Sequence, residues 1–189
     1  MNTSSRFATA AALSVLLSAC ATQPSGEAAN GWPFNGGYDA TRFSTLTQIN
    51  TGNVAALREV GRFRLPETLS FQSDAVVAGD TLYVTTREST YAMDARTGEQ
   101  RWVRRHEIKK PSPGRLGRGV AYADGRIYRG LVDGHLLAMD ARTGDVVWDV
   151  IGADIDDGEF YTAVPVIWEG RVIIGNAGSD YGGIGHIRA

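Results

Sequence analysis

The chain has 189 residues, of which 21% are charged, and its formal net charge is −2. A chain of this length can bury a substantial core, and its nearly balanced charge excludes the basic field that nucleic-acid binding requires. The single cysteine excludes an internal disulfide framework, and the 23 glycines and four tryptophans favour an all-β chain rich in tight turns.

The first thirty residues contain an apolar run and then a small, polar stretch. The run at residues 7–17 is too short for a membrane-spanning helix of about 20 residues, but it suits the apolar core of a secretory signal. It ends in Leu17-Ser18-Ala19-Cys20, which resembles a bacterial lipobox. We therefore predict a lipoprotein-type signal peptide at residues 1–20, lipidation of Cys20 and a flexible tether at residues 21–30. The alternative is a plain signal peptide with an incidental cysteine.

A near-exact repeat dominates the rest of the chain. The run Ala92–Gly98 recurs 46 positions later as Ala138–Gly144, both with the sequence Ala-Met-Asp-Ala-Arg-Thr-Gly. A tryptophan follows each copy at the same distance, as Trp102 and Trp148, and a third repeat begins at residues 169–173. A period of about 40 to 50 residues with short strands is typical of β-propeller blades. We therefore predict an all-β fold with about two and a half blades present.

Each complete repeat predicts four strands, because β-branched and aromatic residues recur between short turn signals. The strands are Ser73–Ala78, Thr81–Arg87, Thr90–Asp94 and Gln100–Arg104 in the first repeat, and Arg118–Ala123, Arg126–Leu131, His135–Asp140 and Val146–Ile151 in the second. In each Asp-Ala-Arg-Thr-Gly turn, the aspartate can cap backbone amides and the glycine can adopt a positive φ. Trp102 and Trp148 then return on the outer strands, where we predict that each indole docks against the next blade.

The repeated pattern Ala-x-Asp-x-x-Thr-Gly-x-x-x-Trp resembles the tryptophan-docking motif of the PQQ (pyrroloquinoline quinone) dehydrogenases. The preceding segment resembles the amino-terminal lead-in of quinoprotein alcohol dehydrogenases, through Asn30-Gly31-Trp32-Pro33, Gly36-Gly37, Arg42-Phe43-Ser44 and Gln48-Ile49-Asn50. The resemblance implies that residues 31–189 are part of an eight-bladed propeller and that Glu59–Leu65 forms a strand. The alternative is a polar lead-in with one buried tryptophan.

The resemblance also implies a PQQ site beside a Ca²⁺ ion at the propeller axis. Three stretches carry the positions that contact the cofactor in that family: Gln72 in the first, Arg118 in the second, and Thr162, Gly178 and Ser179 in the third, with Asp180 as the metal ligand. The family arginine at the position of Arg118 contacts the anionic carboxylates of the quinone, a task that suits a guanidinium fork. No catalytic residue is assigned, because the family's catalytic aspartate lies in later blades.

Several of these positions depart from the family pattern. Gln72 stands where the family has a glutamate, although Asp74 is a nearby carboxylate that can substitute for it or serve as a turn residue. Asp180 also replaces a glutamate. The alternative interpretations are that Arg118 is a surface arginine beside Arg115, and that Asp180 is an exposed aspartate in an ordinary glycine-rich loop.

Two further groups of polar residues carry no predicted chemistry. His106, His135 and His186 lack metal-ligand spacing, so we expect each to be a turn or surface residue. The basic residues at 104–105 and 109–110 are expected to form a solvated face, and the alternative is a docking surface for an acidic electron acceptor.

The function implied by the resemblance is that of the amino-terminal fragment of a periplasmic PQQ-dependent dehydrogenase. Such an enzyme oxidises an alcohol or sugar and passes electrons to a cytochrome or quinone acceptor, and here Cys20 would hold it at a membrane. The alternative is a non-enzymatic propeller lipoprotein that acts as a binding scaffold, as in outer-membrane barrel assembly. Because so few blades leave strand edges and apolar faces open, we expect the isolated chain to be poorly stable and to bind no quinone.

Overall fold

The computed structural model describes residues 31–33, 36–37, 41–44, 46–67 and 70–189. These residues form three antiparallel sheets, in which strands that follow one another in sequence are neighbours. The first sheet contains β1 (Val76–Ala78), β2 (Thr81–Thr85), β3 (Ser89–Asp94) and β4 (Gln100–Arg105); the second contains β5 (Ala121–Ala123), β6 (Arg126–Gly130), β7 (His135–Asp140) and β8 (Val146–Ile151); the third contains β9 (Val166–Trp168), β10 (Arg171–Gly175) and β11 (Ile187–Arg188). The helical elements of the described residues are the 3-10 turns Val54–Ala56, Ile155–Asp157 and Ser179–Tyr181. The all-β prediction is therefore confirmed; the first two sheets each have the four strands of a propeller blade, and the third has three strands.

The two copies of the Asp-Ala-Arg-Thr-Gly turn fold in the same way. Asp94 Oδ1 accepts hydrogen bonds from the backbone amides two and three residues later, at 2.9 and 3.0 Å. Asp140 Oδ1 accepts the equivalent bonds in the second sheet, both at 2.9 Å. Gly98 and Gly144, which close the turns, have φ angles of 73° and 74°. Because L side chains rarely adopt such angles, the turns require glycine, and both predictions about them are confirmed.

An indole ring joins the first sheet to the second. Trp102 Nε1 donates a hydrogen bond to the carbonyl oxygen of Ala141 at 3.1 Å, and the Tyr83 hydroxyl donates to the same oxygen at 3.0 Å. A Cβ on Gly144 would come within 2.7 Å of Trp102 Cε3, so the ring lies directly on the turn. Trp102 therefore docks on the next sheet through both its ring face and its N–H group.

Apolar cores fill the spaces between adjacent sheets. The core between the first two sheets contains Val76, Tyr83, Ala92, Val120, Ile127, Met139 and Ala141, all buried. The second and third sheets share a smaller core of Leu136, Ala153, Tyr161 and Ile174, against which the partly buried Trp148 packs. Since burial of one large apolar side chain contributes about 1.5–3 kcal/mol, these cores add to the attachment between adjacent sheets.

The first strands of the three sheets converge on one side of the molecule, which we call the inner side. β1 contacts β5, and β5 contacts β9. The lead-in joins them there, because Trp32 and Val77 exchange backbone hydrogen bonds of 2.7 and 3.0 Å. The amide of Tyr122 also donates to the carbonyl of Pro33 at 3.1 Å. Convergence of the first strands is the arrangement found around the axis of a propeller.

The inner strands begin later than predicted. β1 and β5 start at Val76 and Ala121, three residues after the predicted positions. The backbone before each strand bonds to neighbouring segments instead of its own sheet, as when Asp74 N donates to Arg118 O at 2.9 Å. Gln72 and Asp74 therefore lie outside any strand, and strand alternation does not decide which way their side chains point.

The strand predicted at Glu59–Leu65 is wrong, because these residues form irregular and mostly exposed backbone. Their side chains make the contacts instead. Phe63 packs edge-on against Tyr91 with ring centroids 6.1 Å apart, and Leu65 packs against a buried cluster that includes Val84. The segment thus packs on a face of the first sheet, and within the described part of the chain its backbone pairs with no strand.

The predicted export and anchoring elements lie outside the described residues. These elements are the signal peptide at 1–20, the lipidation site Cys20 and the tether at 21–30. Among the residues that the structure does describe, no helix has the length and apolar character needed to cross a bilayer.

The contact between Trp102 and Gly144 predicts that two matched glycine substitutions in the second sheet lower the free energy of unfolding by different amounts. Gly144→Ala places a methyl group 2.7 Å from the indole, whereas Gly125→Ala meets nothing within 4 Å at nearly the same φ. Both variants carry a backbone cost of about 1–2 kcal/mol. We expect Gly144→Ala to lower the free energy of unfolding by a further ~1–3 kcal/mol because of the clash. Urea denaturation measures the difference, and equal losses would show that the ring does not rest on this turn.

Candidate functional site

Three segments meet on the inner side, just before β1, β5 and β9. Asp74 N donates to the carbonyl of Arg118 at 2.9 Å, and Arg118 N donates to the carbonyl of Thr162 at 3.1 Å. These bonds connect the first sheet to the second and the second to the third. The structure thus brings together the three stretches that carry the predicted cofactor positions.

Arg118 and Thr162 form the polar centre of this site. Nη1 of Arg118 donates to Oγ1 of Thr162 at 2.7 Å. Thr162 is buried, whereas Arg118 is exposed. Because a guanidinium has five N–H donors in a planar fork, the bond to Thr162 leaves donors free for a carboxylate of a ligand. Arg118 is exposed, as the surface interpretation expects, but its side chain is anchored to Thr162 in the segment that precedes the third sheet.

Ser73, rather than Gln72, holds the first stretch in place. Ser73 Oγ accepts a hydrogen bond from Thr85 N at 2.9 Å and lies 3.2 Å from Thr85 Oγ1. Thr85 Oγ1 donates to the carbonyl of Gly117 at 3.2 Å, which ties this stretch to the residue before Arg118. Gln72 is exposed beside this anchor, where its amide can both donate and accept.

The loop that begins at Gly178 is attached to the chain just before Thr162. Phe160 and Ala177 exchange backbone hydrogen bonds of 3.1 and 2.7 Å. Gly178 is buried with a φ of 129°, and a Cβ there would overlap the carbonyl of Gly158. Glycine is therefore required for the close approach of the two loop segments.

The predicted metal ligand stands in an open position. Asp180 and Ser179 are exposed within the 3-10 turn Ser179–Tyr181. In the described part of the chain, no group of three or more His, Cys, Asp or Glu side chains comes together that could hold a metal ion. Ca²⁺ takes six to eight oxygen ligands, so Asp180 can provide only part of such a site. The assignment of calcium to this residue stays a prediction.

The expectation that all three histidines are turn or surface residues is wrong for two of them. His106 is buried, with Nε2 2.9 Å from Thr90 Oγ1. His135 is buried within β7, with Nδ1 2.6 Å from Asp149 Oδ1. His186 is exposed. The two buried imidazoles have specific partners from other strands, which spacing along the chain does not show.

The basic residues at 104–105 and 109–110 are each paired with a carboxylate. Arg104 pairs with Asp145 at 2.7 Å, Arg105 with Glu88 at 3.1 Å, Lys109 with Asp149 at 3.6 Å and Lys110 with Asp156 at 2.7 Å. Exposed pairs of this kind contribute at most about 1 kcal/mol each to stability, but they cancel the local charge. The structure therefore favours a solvated face over a docking surface for an acidic partner.

One polar residue near the site was not predicted from the sequence. Arg129 in β6 is 1% exposed and lies beside Gly117, the residue before Arg118. A signal was present in the sequence, because Tyr83 of the first repeat is followed by Val84, whereas the equivalent Tyr128 of the second repeat is followed by Arg129. A charged residue in place of a buried valine marks a position whose environment differs between the two blades.

Comparison with known proteins identifies the repeats. The family model PQQ, described as the β-propeller domain of glucose/ethanol/alcohol dehydrogenase, matches residues 32–188. The chain is 36% identical over 163 residues to 1-butanol dehydrogenase (cytochrome c) of Thauera butanivorans, covering 81% of this chain and 23% of that protein. It is also 36% identical over 166 residues to the quinohemoprotein alcohol dehydrogenase of Comamonas testosteroni, covering 84% of this chain and 23% of that protein.

Solved structures give the same relationship. The quinohemoprotein alcohol dehydrogenase of Comamonas testosteroni superposes with a TM-score of 0.76 and 35% identity, covering 83% of this chain and 25% of that one. A europium-containing methanol dehydrogenase superposes with a TM-score of 0.75 and 29% identity, covering 84% of this chain and 29% of that one. The chain thus spans about a quarter of the length of these relatives, and its three sheets correspond to part of their propeller.

The burial of His106 predicts a loss of stability in acid. Burial, together with the positive charges of Arg129 and Arg104, lowers the pKa of His106 from 6.5 to about 3. The neutral imidazole therefore contributes fully to the free energy of unfolding above pH 6.5. This contribution is lost as the pH falls towards 3, because in that range the unfolded state binds one more proton than the folded state. We expect this residue to make the free energy of unfolding fall by up to about 1.4 kcal/mol per pH unit.

Urea denaturation between pH 6.5 and 5 measures this slope. His106→Gln keeps an acceptor for Thr90 and removes the titrating group, so its stability should fall less steeply with pH than that of the unsubstituted protein. Identical slopes for the two proteins would contradict the assignment.

Proposed function

We propose, from the fact that this chain belongs to the PQQ family of glucose/ethanol/alcohol dehydrogenase β-propeller domains, that it forms part of a PQQ-dependent alcohol dehydrogenase. The contact between Arg118 and Thr162 carries the proposal, because it holds an exposed guanidinium where three blades meet. The three blades would provide one part of the cofactor site, on the inner side.

The donors at this place suit PQQ, which presents three carboxylates and an ortho-quinone as acceptors. Arg118 offers charged N–H groups, and Thr162 and Gln72 offer neutral ones. Gln72, unlike a glutamate, adds no negative charge that would repel a carboxylate. Ser179 is exposed in the loop that begins at Gly178, and Gly178 lets that loop approach the backbone of Gly158 closely. The residues present therefore fit the group.

When bound, PQQ supplies an ortho-quinone that takes up two electrons and two protons as an alcohol is oxidised to an aldehyde or ketone. The residues of this chain hold and orient the group. Arg118 balances the charge of a carboxylate, and Thr162 fixes the direction of Arg118. We assign no catalytic base among the described residues.

We propose an alcohol as the substrate, with a sugar as the alternative, and a cytochrome or a quinone as the electron acceptor. The names of relatives support this, since one acts on 1-butanol with cytochrome c and another, from Gluconobacter oxydans, is an alcohol dehydrogenase (quinone) subunit. We also propose export to the periplasm and a lipid anchor at Cys20. The apolar run at 7–17 and the lipobox-like sequence after it support this location.

Arg118→Met should weaken PQQ binding by the full-length protein. A hydrogen bond to a charged group contributes about 1.5–3 kcal/mol, so we expect a loss of affinity of roughly 10- to 100-fold. Spectroscopic titration with PQQ measures the affinity, and Arg115→Met, at an exposed position nearby, is the matched control. Equal affinities for the two variants would remove Arg118 from the site. An unsubstituted protein that binds no PQQ would favour the scaffold function instead.

Asp180→Asn should raise the Ca²⁺ requirement of the full-length enzyme. The amide keeps an oxygen ligand but removes the negative charge that a hard cation prefers, so we expect the half-saturating Ca²⁺ concentration to rise by about tenfold. Dye reduction in the presence of PQQ and an alcohol measures this dependence. Asp157→Asn, an exposed aspartate in another 3-10 turn, is the control, and the same response in both variants would refute a metal role for Asp180.

A further inference from the structure

Arg129 ties the second sheet to the first from a fully buried position in β6. Its Nη1 donates to Thr90 Oγ1 at 2.8 Å. Its Nη2 donates to the backbone carbonyls of Thr86 and Arg87, the latter at 3.0 Å. Two of these acceptors lie in the turn between β2 and β3 and the third lies in β3, so a single guanidinium holds this hairpin of the first sheet.

The charge of Arg129 is costly at this depth. Burial lowers the pKa of Arg129 to about 10, with the charge of Glu67 acting in the opposite direction, so the guanidinium is still protonated at neutral pH. Within the described residues, its Nε has no hydrogen-bond partner. Val84 occupies the equivalent position of the first repeat without any charge. Because apolar packing often stabilises a core as well as a buried charge does, stability alone does not account for Arg129.

The guanidinium lies against the segment that leads into Arg118. A Cβ on Gly117 would come within 3.1 Å of Arg129 Nη2 and within 3.2 Å of the carbonyl oxygen of Thr86. On the same residue, the carbonyl of Gly117 accepts a hydrogen bond from Thr85 Oγ1 at 3.2 Å. Gly117 is thus held at its carbonyl by Thr85 and packed at its α-carbon against Arg129.

We propose that Arg129 is a positioning residue, which fixes the peptide between Gly117 and Arg118 and so directs the Arg118 guanidinium towards an anionic ligand on the inner side. The identity of that ligand as PQQ rests on the proposed function. The positioning of Arg118 by Arg129 rests on the geometry alone. Without Arg129, the hairpin carbonyls are released and Gly117 gains room to move. Arg118 then loses its fixed direction towards Thr162 and towards a ligand carboxylate.

Titration of the full-length protein with PQQ tests this role. Arg129→Met keeps an aliphatic stem and removes the donors, and Arg126→Met, at an exposed position of the same strand, is the matched control. We expect Arg129→Met to weaken PQQ binding by about tenfold and Arg126→Met to leave it unchanged. In an Arg118→Met background, Arg129→Met should have no further effect, because Arg129 acts through Arg118. Additive losses, or unchanged binding by Arg129→Met alone, would overturn the proposal.

Hydrogen exchange of the protein without PQQ separates positioning from the identity of the ligand. The amide of Arg118 is bonded to Thr162, so we expect Arg129→Met to speed exchange in the peptide 115–120 by about tenfold. The strand β7 should keep its protection. Equal acceleration in both regions would indicate general loosening and overturn the proposal. Selective acceleration in a protein that binds no PQQ would support positioning and overturn the proposed function alone.

Gly117→Ala provides the same test with Arg129 in place, in case Arg129→Met does not fold. The added methyl group lies 3.1 Å from Arg129 Nη2 and must displace either the guanidinium or the Gly117 backbone. Gly61→Ala is the control, because its nearest neighbour is the carbonyl oxygen of Thr97 at 3.8 Å. We expect Gly117→Ala to bind PQQ about tenfold more weakly than Gly61→Ala, and equal affinities would refute the proposed role.

Discussion

The arrangement of the first two sheets depends on one interaction, in which the indole ring of Trp102 lies on the glycine turn of the second sheet. The carbonyl of Ala141 accepts hydrogen bonds from both Trp102 and Tyr83, so the contact fixes the angle between the sheets as well as their separation. Gly144 lets the ring approach the backbone, which any side chain would prevent. With the outer strands held in this way, the short first strands converge on the inner side, and residues of different blades become neighbours.

This convergence explains why the candidate site lies at blade boundaries. The backbone before β1 and β5 does not pair within its own sheet, and the amides of Asp74 and Arg118 find acceptors in the next blade. Through these bonds between blades, the amides of Asp74 and Arg118 are paired although they take no part in a sheet. Arg118 is consequently fixed at its backbone and at its side chain by the same residue, Thr162. No single blade contains this arrangement.

Much of the fold could be predicted because the repeat is local. The Asp94 turn and the four strands of each repeat depend on residues close together in sequence, and the structure has them nearly at the predicted bounds. The start of the inner strands could not be predicted from the sequence. The amide of Asp74 bonds to Arg118 in the neighbouring blade instead of to its own sheet, and only the assembled blades show this. Glu59–Leu65 carries apolar residues that suit a strand and a face-packing segment equally well. At the site, the resemblance supplied Arg118 and Thr162, but their mutual contact is a property of the assembled sheets.

Buried polar residues escaped prediction for a different reason, since a pattern of apolar residues gives no information about hydrogen-bond networks. The hydroxyl of Thr90 accepts from Arg129, so its single proton is available for Nε2 of His106. Burial lowers the pKa of His106 to about 3 and so keeps its imidazole neutral at neutral pH. A protonated imidazole here would place a second cation beside a guanidinium that already lacks full solvation. The neutral state of His106 is therefore a condition for the buried charge of Arg129, and through it for the rigid peptide that precedes Arg118.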